Sequence, residues 1–332
     1  MIKTTDRNLK YDIIRAVAIF FVVCGHSIGP VVDISNQQAA GFDWIKIYFT
    51  FTGAFVPVFV MLSGGLLLSR QETFSKVFKH RFKRVIIPFI FWSFIVYTST
   101  FFYHGGHSFL QCLTGYAHDI FVGDVHEVYW FVYMILALYL ATPFLCTIVQ
   151  SKENNDIYLL LFIVAVLIAG KCFPRFIPLS WWHNQISTWL LFFVVGHFIA
   201  NKLQYRSWFK VASIIGFIVL WAICCYLDIM HLEEGVYDLI RIMAFISVYC
   251  LFLAIAPQKC NPTVTNGVSC LSKYSYGIYL SHIMFIPLFV KLPVFKTIPL
   301  CVSPLFLAFC AVMTCLIILL ILDKIGLGKI SR

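Results

Sequence analysis

Residues 11–32 read YDIIRAVAIFFVVCGHSIGPVV. Apart from Asp12 and Arg15 at its start, the run has no Asp, Glu, Lys or Arg, and it is as long as the roughly 20 residues a helix needs to cross a hydrocarbon core. A soluble surface helix shows one apolar stripe and one charged face; this one is apolar almost all round, which reads as a membrane span. Working outward, hydrophobic runs between polar breaks give about ten spans, at 12–32, 45–69, 85–103, 128–149, 157–173, 185–200, 211–230, 239–256, 277–290 and 299–322. The composition agrees: 61% of the 332 residues are hydrophobic and 12% are charged. An average soluble domain carries about 25% charged residues. A soluble enzyme, a disordered chain and a secreted disulfide scaffold are excluded. The predicted fold is all-α, a polytopic integral membrane protein of about ten transmembrane helices. No stretch is long and polar enough for a separate soluble domain, so residues 1–332 read as one transmembrane domain.

The net charge of +10 has a direction. With the N-terminus inside, eighteen of the 25 basic residues fall on the cytoplasmic side and three (Arg175, Lys291 and Lys296) on the other. That asymmetry is the positive-inside pattern and predicts both termini in the cytoplasm. The basic excess is therefore a topological device and not a nucleic-acid surface. The 12 cysteines lie mostly within spans, where Cys acts as a small hydrophobe. No C-x-x-C or H-E-x-x-H spacing occurs, so no metal site is expected.

Ionisable groups inside spans are costly and by default mark function. Arg15 and His26 are eleven positions apart, which at about 100° per residue puts them within about 20° on one helix face. The rise between them is about 16 Å. Asp12, three residues before Arg15, is placed to pair with its guanidinium. Alone, Arg15 reads as a snorkelling anchor and His26 as a bond to a neighbouring helix; their shared face favours an anion-binding head with a titratable imidazole deeper in the bundle. His282 is a second histidine within a span. Tyr129 and Trp130 open the fourth span, where an aromatic belt or a platform for a sugar is expected.

The segment from Arg70 to Arg84 is basic, and the positive-inside rule explains its count but not its pattern. Phe74, Phe78 and Phe82 recur every four residues, as on an amphipathic helix with its bases on the other face. Arg81 and Arg84 share a face as a fork suited to phosphate, with Lys79 and Lys83 beside them.

Taken in order, these motifs resemble the acyltransferase-3 family of integral-membrane acyltransferases. Asp12-x-x-Arg15-(x10)-His26 is similar to its first-helix signature, and Val58 to Leu67, with Ser63-Gly64-Gly65-Leu66-Leu67, to its second-helix motif. Arg81-x-x-Arg84 before Pro88 resembles the third-helix motif, and Trp130-Phe131 with Tyr139 and Pro143 the fourth. Ser275-Tyr276-Gly277-Ile278-Tyr279-Leu280-x-His282 resembles the late one. The resemblance implies about ten helices and O-acyl transfer, usually of acetyl, from cytosolic acyl-CoA to a hydroxyl of a cell-surface or lipid-linked sugar. It further implies a multi-pass protein of the bacterial inner membrane, in the short form that O-acetylates surface glycans. On this resemblance Arg81, Arg84, Lys79 and Lys83, with Arg15, would hold the phosphates of acetyl-CoA, and His26 would be the general base, with Arg15 and Asp12 beside it in the catalytic set. Trp130, Tyr129 and His282 would meet the acceptor. The sequence departs from the family at one place: where many members have a His two positions before the fourth-helix Trp, here stands Val128, with His126 two residues earlier. A competing reading is a transporter or flippase for a lipid-linked glycan, with Arg15, His26 and His282 as a proton pathway.

Overall fold

The computed structural model describes residues 8–35, 42–70, 75, 77–106, 108–151, 155–172, 180–203, 207–230 and 237–331. Arg175 and Phe74 lie outside the described residues. The chain forms α1 (Leu9–Ser35), α2 (Phe42–Gly53), α3 (Phe55–Leu67), a π-helical turn (Val77–Phe82), α4 (Lys83–Tyr103) and α5 (Phe109–Val122). There follow α6 (Trp130–Val149), α7 (Asn155–Cys172), α8 (Ser180–Asn201), α9 (Ser207–Ile229), α10 (Tyr237–Ile255), α11 (Pro262–Phe289), α12 (Ser303–Lys324) and a short α13 (Gly328–Ser331). No strand occurs among the described residues. This is an all-α polytopic membrane fold: seven stretches among the described residues are long and apolar enough to cross a membrane.

α1 is the central post. Its 27 residues span about 40 Å at 1.5 Å per residue, longer than the hydrocarbon core. It packs on α11 and α12, and on α2 and α3. The run predicted at 45–69 is two helices, because Pro57 has no N–H to bond the Gly53 carbonyl and the chain steps at Ala54. α3 then lies unusually close to α8. A Cβ on Gly64 would stand 1.8 Å from the Phe193 carbonyl oxygen, and one on Gly196 2.0 Å from that of Met61. Only hydrogen fits at either place, the small-residue contact by which membrane helices bring their backbones together.

Two elements differ from expectation. The segment before the fourth span contains α5, whose start is capped by Ser108 and whose end is closed by Gly123 at φ 85°. Its Cys112 and Tyr116 are buried, while Phe109, Leu110 and Phe121 are exposed, the division expected of a helix lying in the membrane interface. The ninth run, predicted at 277–290, is the tail of a 28-residue helix, α11. Asn261 caps it, accepting from the Thr263 N–H at 3.0 Å, and Pro262 opens it. Its first half is polar because it faces other polar groups: Ser269 and Ser272 bond to Asp12, and Lys273 to Asp323. These contacts bring the start of α1 and the end of α12 to the same end of the bundle. α13 folds back there, its Ile330 carbonyl accepting from the Trp92 indole at 3.0 Å.

Candidate active site

At the end of the bundle where α1 starts, a cavity of about 870 Å³ opens between α1, α3, α4, α6 and α11. Arg15, Arg81 and Arg84, from three separate elements, all line it. Each is held there by local structure. Asp12 is buried and accepts from Ser272 Oγ at 2.7 Å and from Ser269 Oγ at 3.0 Å. Ser272 Oγ in turn accepts from Arg15 Nη1 at 2.9 Å, and the same nitrogen reaches Asp12 Oδ1 at 3.5 Å. Asp12 thus acts on Arg15 partly through a serine of α11 and fixes the guanidinium's direction. Arg81 sits in the π-helical turn and Arg84 in the first turn of α4. Tyr276 donates to the Val85 carbonyl at 2.9 Å and ties that turn to α11. Lys79 and Lys83, grouped with the arginines from sequence, are exposed and do not line the cavity.

The cavity includes cations and polar groups that the sequence reading passed over. Arg70 lines it from the turn after α3, whose carbonyls are bonded by Gln150 Nε2 (to Leu68, 2.9 Å) and Cys146 Sγ (to Arg70, 3.2 Å). Lys273 lines it from α11, and Asn201 from α8, pinned to the Gly65 carbonyl at 2.9 Å. Tyr139 lies in the field of Arg81, Arg15 and Arg84. Ser272 and Lys273 fall in a stretch too polar to read as a span, which hid them. Asn201 owes its place to the glycine contact between α3 and α8, which has no signature apart from the glycines themselves.

Deeper in, the lining becomes apolar: Val22, Phe131 and Ile135, with Tyr279 beside them. The Tyr279 hydroxyl donates to the Val128 carbonyl in a short hydrogen bond, and its ring meets Phe131 at 5.3 Å and His282 at 6.0 Å between centroids. His26 stands one helical turn past Val22, outside the cavity, with its ring centroid 5.2 Å from that of His282. The two histidines, on α1 and α11, are thus brought together although 256 residues apart in sequence.

The remaining expected site residues divide. Trp130 is 41% exposed and packs on Trp189 with centroids 5.2 Å apart, an aromatic pair at the far end of α6 from Tyr139. Tyr129 is fully buried, its hydroxyl donating to the Leu280 carbonyl at 2.9 Å and its ring edge-on to Phe89. Its place is in the core between α4, α6 and α11. His126 is a cap: its Nδ1 accepts the Val128 N–H at 3.2 Å and shapes the turn before α6.

Comparison with known proteins bears on this arrangement. Residues 8–323 match the profile described as an acyltransferase domain. The nodulation protein NolL of Sinorhizobium fredii (strain NBRC 101917 / NGR234) is similar to the chain, with 26% identity over 143 residues, or 41% of this chain and 36% of NolL. The match thus spans little more than a third of that curated relative's length. No solved structure matches the chain.

Proposed function

This chain belongs to the acyltransferase-3 family of membrane acyltransferases, and from that premise we propose that it moves an acetyl group from acetyl-CoA to a hydroxyl of a surface or lipid-linked glycan. The observation that carries the reading is the convergence of Arg15, Arg81 and Arg84 on one cavity whose lining reaches Val22, one helical turn from His26. Guanidiniums match phosphate oxygens in charge and fork geometry, and the apolar inner lining accepts an uncharged arm. The basic end, on this reading, faces the cytoplasm of a bacterial inner membrane, where acyl-CoA is made. The glycan approaches from the opposite side, past the exposed Trp130 and its partner Trp189.

His26 is the general base in this mechanism. It takes the proton from the acceptor hydroxyl as that oxygen attacks the thioester carbonyl. A C–O bond forms, the C–S bond breaks, and the proton passes from His26 to the departing CoA thiolate. A general base contributes about 10²–10⁴-fold, so His26→Ala should lower transfer by that factor while the protein still inserts. Full transfer by the variant would remove His26 from this role. Mass spectrometry of surface glycans from cells with and without the gene tests the function itself. A lost acetyl increment supports transfer; loss of the whole glycan supports a flippase instead.

A further inference from the structure

His282 is fully buried, and its ring Nδ1 lies 2.7 Å from the Tyr279 carbonyl oxygen and 3.2 Å from that of Ile278. A carbonyl oxygen only accepts, so Nδ1 carries the proton in both contacts. In the neutral ring Nε2 is then a bare lone pair. That atom is buried and has no hydrogen-bond partner among the described residues. Buried acceptors are nearly always satisfied, and an orphan one calls for an explanation. The side chain whose ring lies 5.2 Å away, tilted by 39°, is His26.

We propose that His282 is the positioning residue of His26, its Nε2 lone pair receiving the His26 N–H when the substrates are seated. This rests on the transfer reading above. The hydrogen bond selects one His26 tautomer and leaves the other nitrogen free to face the acceptor hydroxyl. When that nitrogen takes the hydroxyl proton, the N–H of the imidazolium remains bonded to Nε2 of His282. The proton gained then leaves from that same hydroxyl-facing nitrogen to the CoA thiolate, and both rings return to their starting state. The backbone carbonyls of Ile278 and Tyr279 do for His282 what a carboxylate does in other catalytic histidine systems: they fix its tautomer by hydrogen bonding. His282 has no exposed surface for a glycan to touch, so its part is played through His26.

Two variants separate this role from packing. His282→Asn retains an amide N–H at the Nδ1 position, able to bond the Tyr279 carbonyl, but has nothing at the Nε2 position. His282→Gln places an amide oxygen near Nε2. Membrane vesicles holding each variant, supplied with radiolabelled acetyl-CoA and the source cells' own glycan lipids, report transfer. The expected result is a drop in kcat of about 100-fold for Asn, the scale of misplacing a reacting group by about 1 Å, with KM for acetyl-CoA unchanged. Gln is expected to stay within about tenfold of wild type. Equal activity of Asn and wild type, or equal loss in Gln and Asn, overturns the proposal. Nitrogen-15 NMR of labelled histidine supplies a second arm, with the His282 signals assigned by their absence from the Gln variant. Nδ1 bonded to hydrogen and Nε2 bare is the expected tautomer, and the reverse overturns the proposal even if transfer is intact. If wild-type vesicles transfer no label, the transfer reading falls and this role with it, whatever the tautomer.

Discussion

Arg81 and Arg84 on the one hand and Lys79 and Lys83 on the other form a natural experiment within one segment of chain. All four are basic and close in sequence, yet only the arginines line the cavity. A charge-assisted hydrogen bond to a phosphate contributes about 1.5–3 kcal/mol, at the low end where the donor is as exposed as Arg84. Replacing both arginines by Ala is therefore expected to raise KM for acetyl-CoA at least about tenfold. The double Lys79→Ala, Lys83→Ala variant should stay within about twofold at physiological salt. Steady-state titration of acetyl-CoA checks both, and equal effects of the two pairs would make the segment a diffuse charge cloud and not a site. Ser272→Ala belongs to the same scale. It removes the bridge between Asp12 and Arg15 and should weaken acetyl-CoA without changing the maximal rate, about tenfold by the same arithmetic. At this scale the sequence singled out Asp12, Arg15 and His26 by their spacing along α1, and Arg81 and Arg84 by theirs across the turn into α4, because such spacing is itself geometric information. It did not carry Ser272 or Arg70, whose places are decided by contacts between elements far apart in the chain.

Among the elements, the α3–α8 contact is the tightest in its geometry. Both glycine hydrogens face backbone carbonyls, which cannot rotate away as a side chain can. Gly196→Ala should therefore force the helices apart and cost about 1–3 kcal/mol, lowering the midpoint of thermal unfolding in detergent. Gly29→Ala is the matched control, since nothing lies within 4 Å of its added Cβ and a helix favours Ala over Gly. An unchanged midpoint for Gly196→Ala would mean that α3 and α8 are less closely seated than described. Helix positions were readable from hydropathy wherever a helix faces lipid. They were not readable where a helix faces the cavity: the first half of α11 is polar because it meets Asp12, Arg15 and Asp323. α5 escaped for the opposite reason, being too short to span and too apolar to be a loop.

For the whole molecule, orientation links the charge pattern to chemistry. The basic end holds the start of α1 and the cavity, and the positive-inside reading places it in the cytoplasm. Cys301 is exposed beside Tyr48, which donates to its carbonyl at 2.5 Å, at the end opposite the cavity, whereas Cys260 lies just before α11 at the basic end. In variants keeping one cysteine each, a membrane-impermeant maleimide added to intact spheroplasts is expected to label Cys301 and spare Cys260. The reverse pattern would invert the molecule and take the arginines away from cytosolic acyl-CoA. On the positive-inside reading the +10 net charge has two parts, a majority expected to set the direction of insertion and a few guanidiniums gathered around one cavity.

Tyr279 has a consequence for the membrane itself. Held to the Val128 carbonyl and flanked by Phe131, it lines the cavity on one side and meets the ring of His282 on the other. On the proposed transfer, reagents from two compartments meet without a conduit opening between them, and the Tyr279 phenol is the group placed to keep them apart. Proteoliposomes holding the wild-type protein and an internal pH dye should keep an imposed proton gradient, and those holding Tyr279→Ala should lose it. On the proposed transfer, each acetyl group that passed outward would exchange for one proton left on CoA, so turnover would move no net charge and draw nothing from the membrane potential.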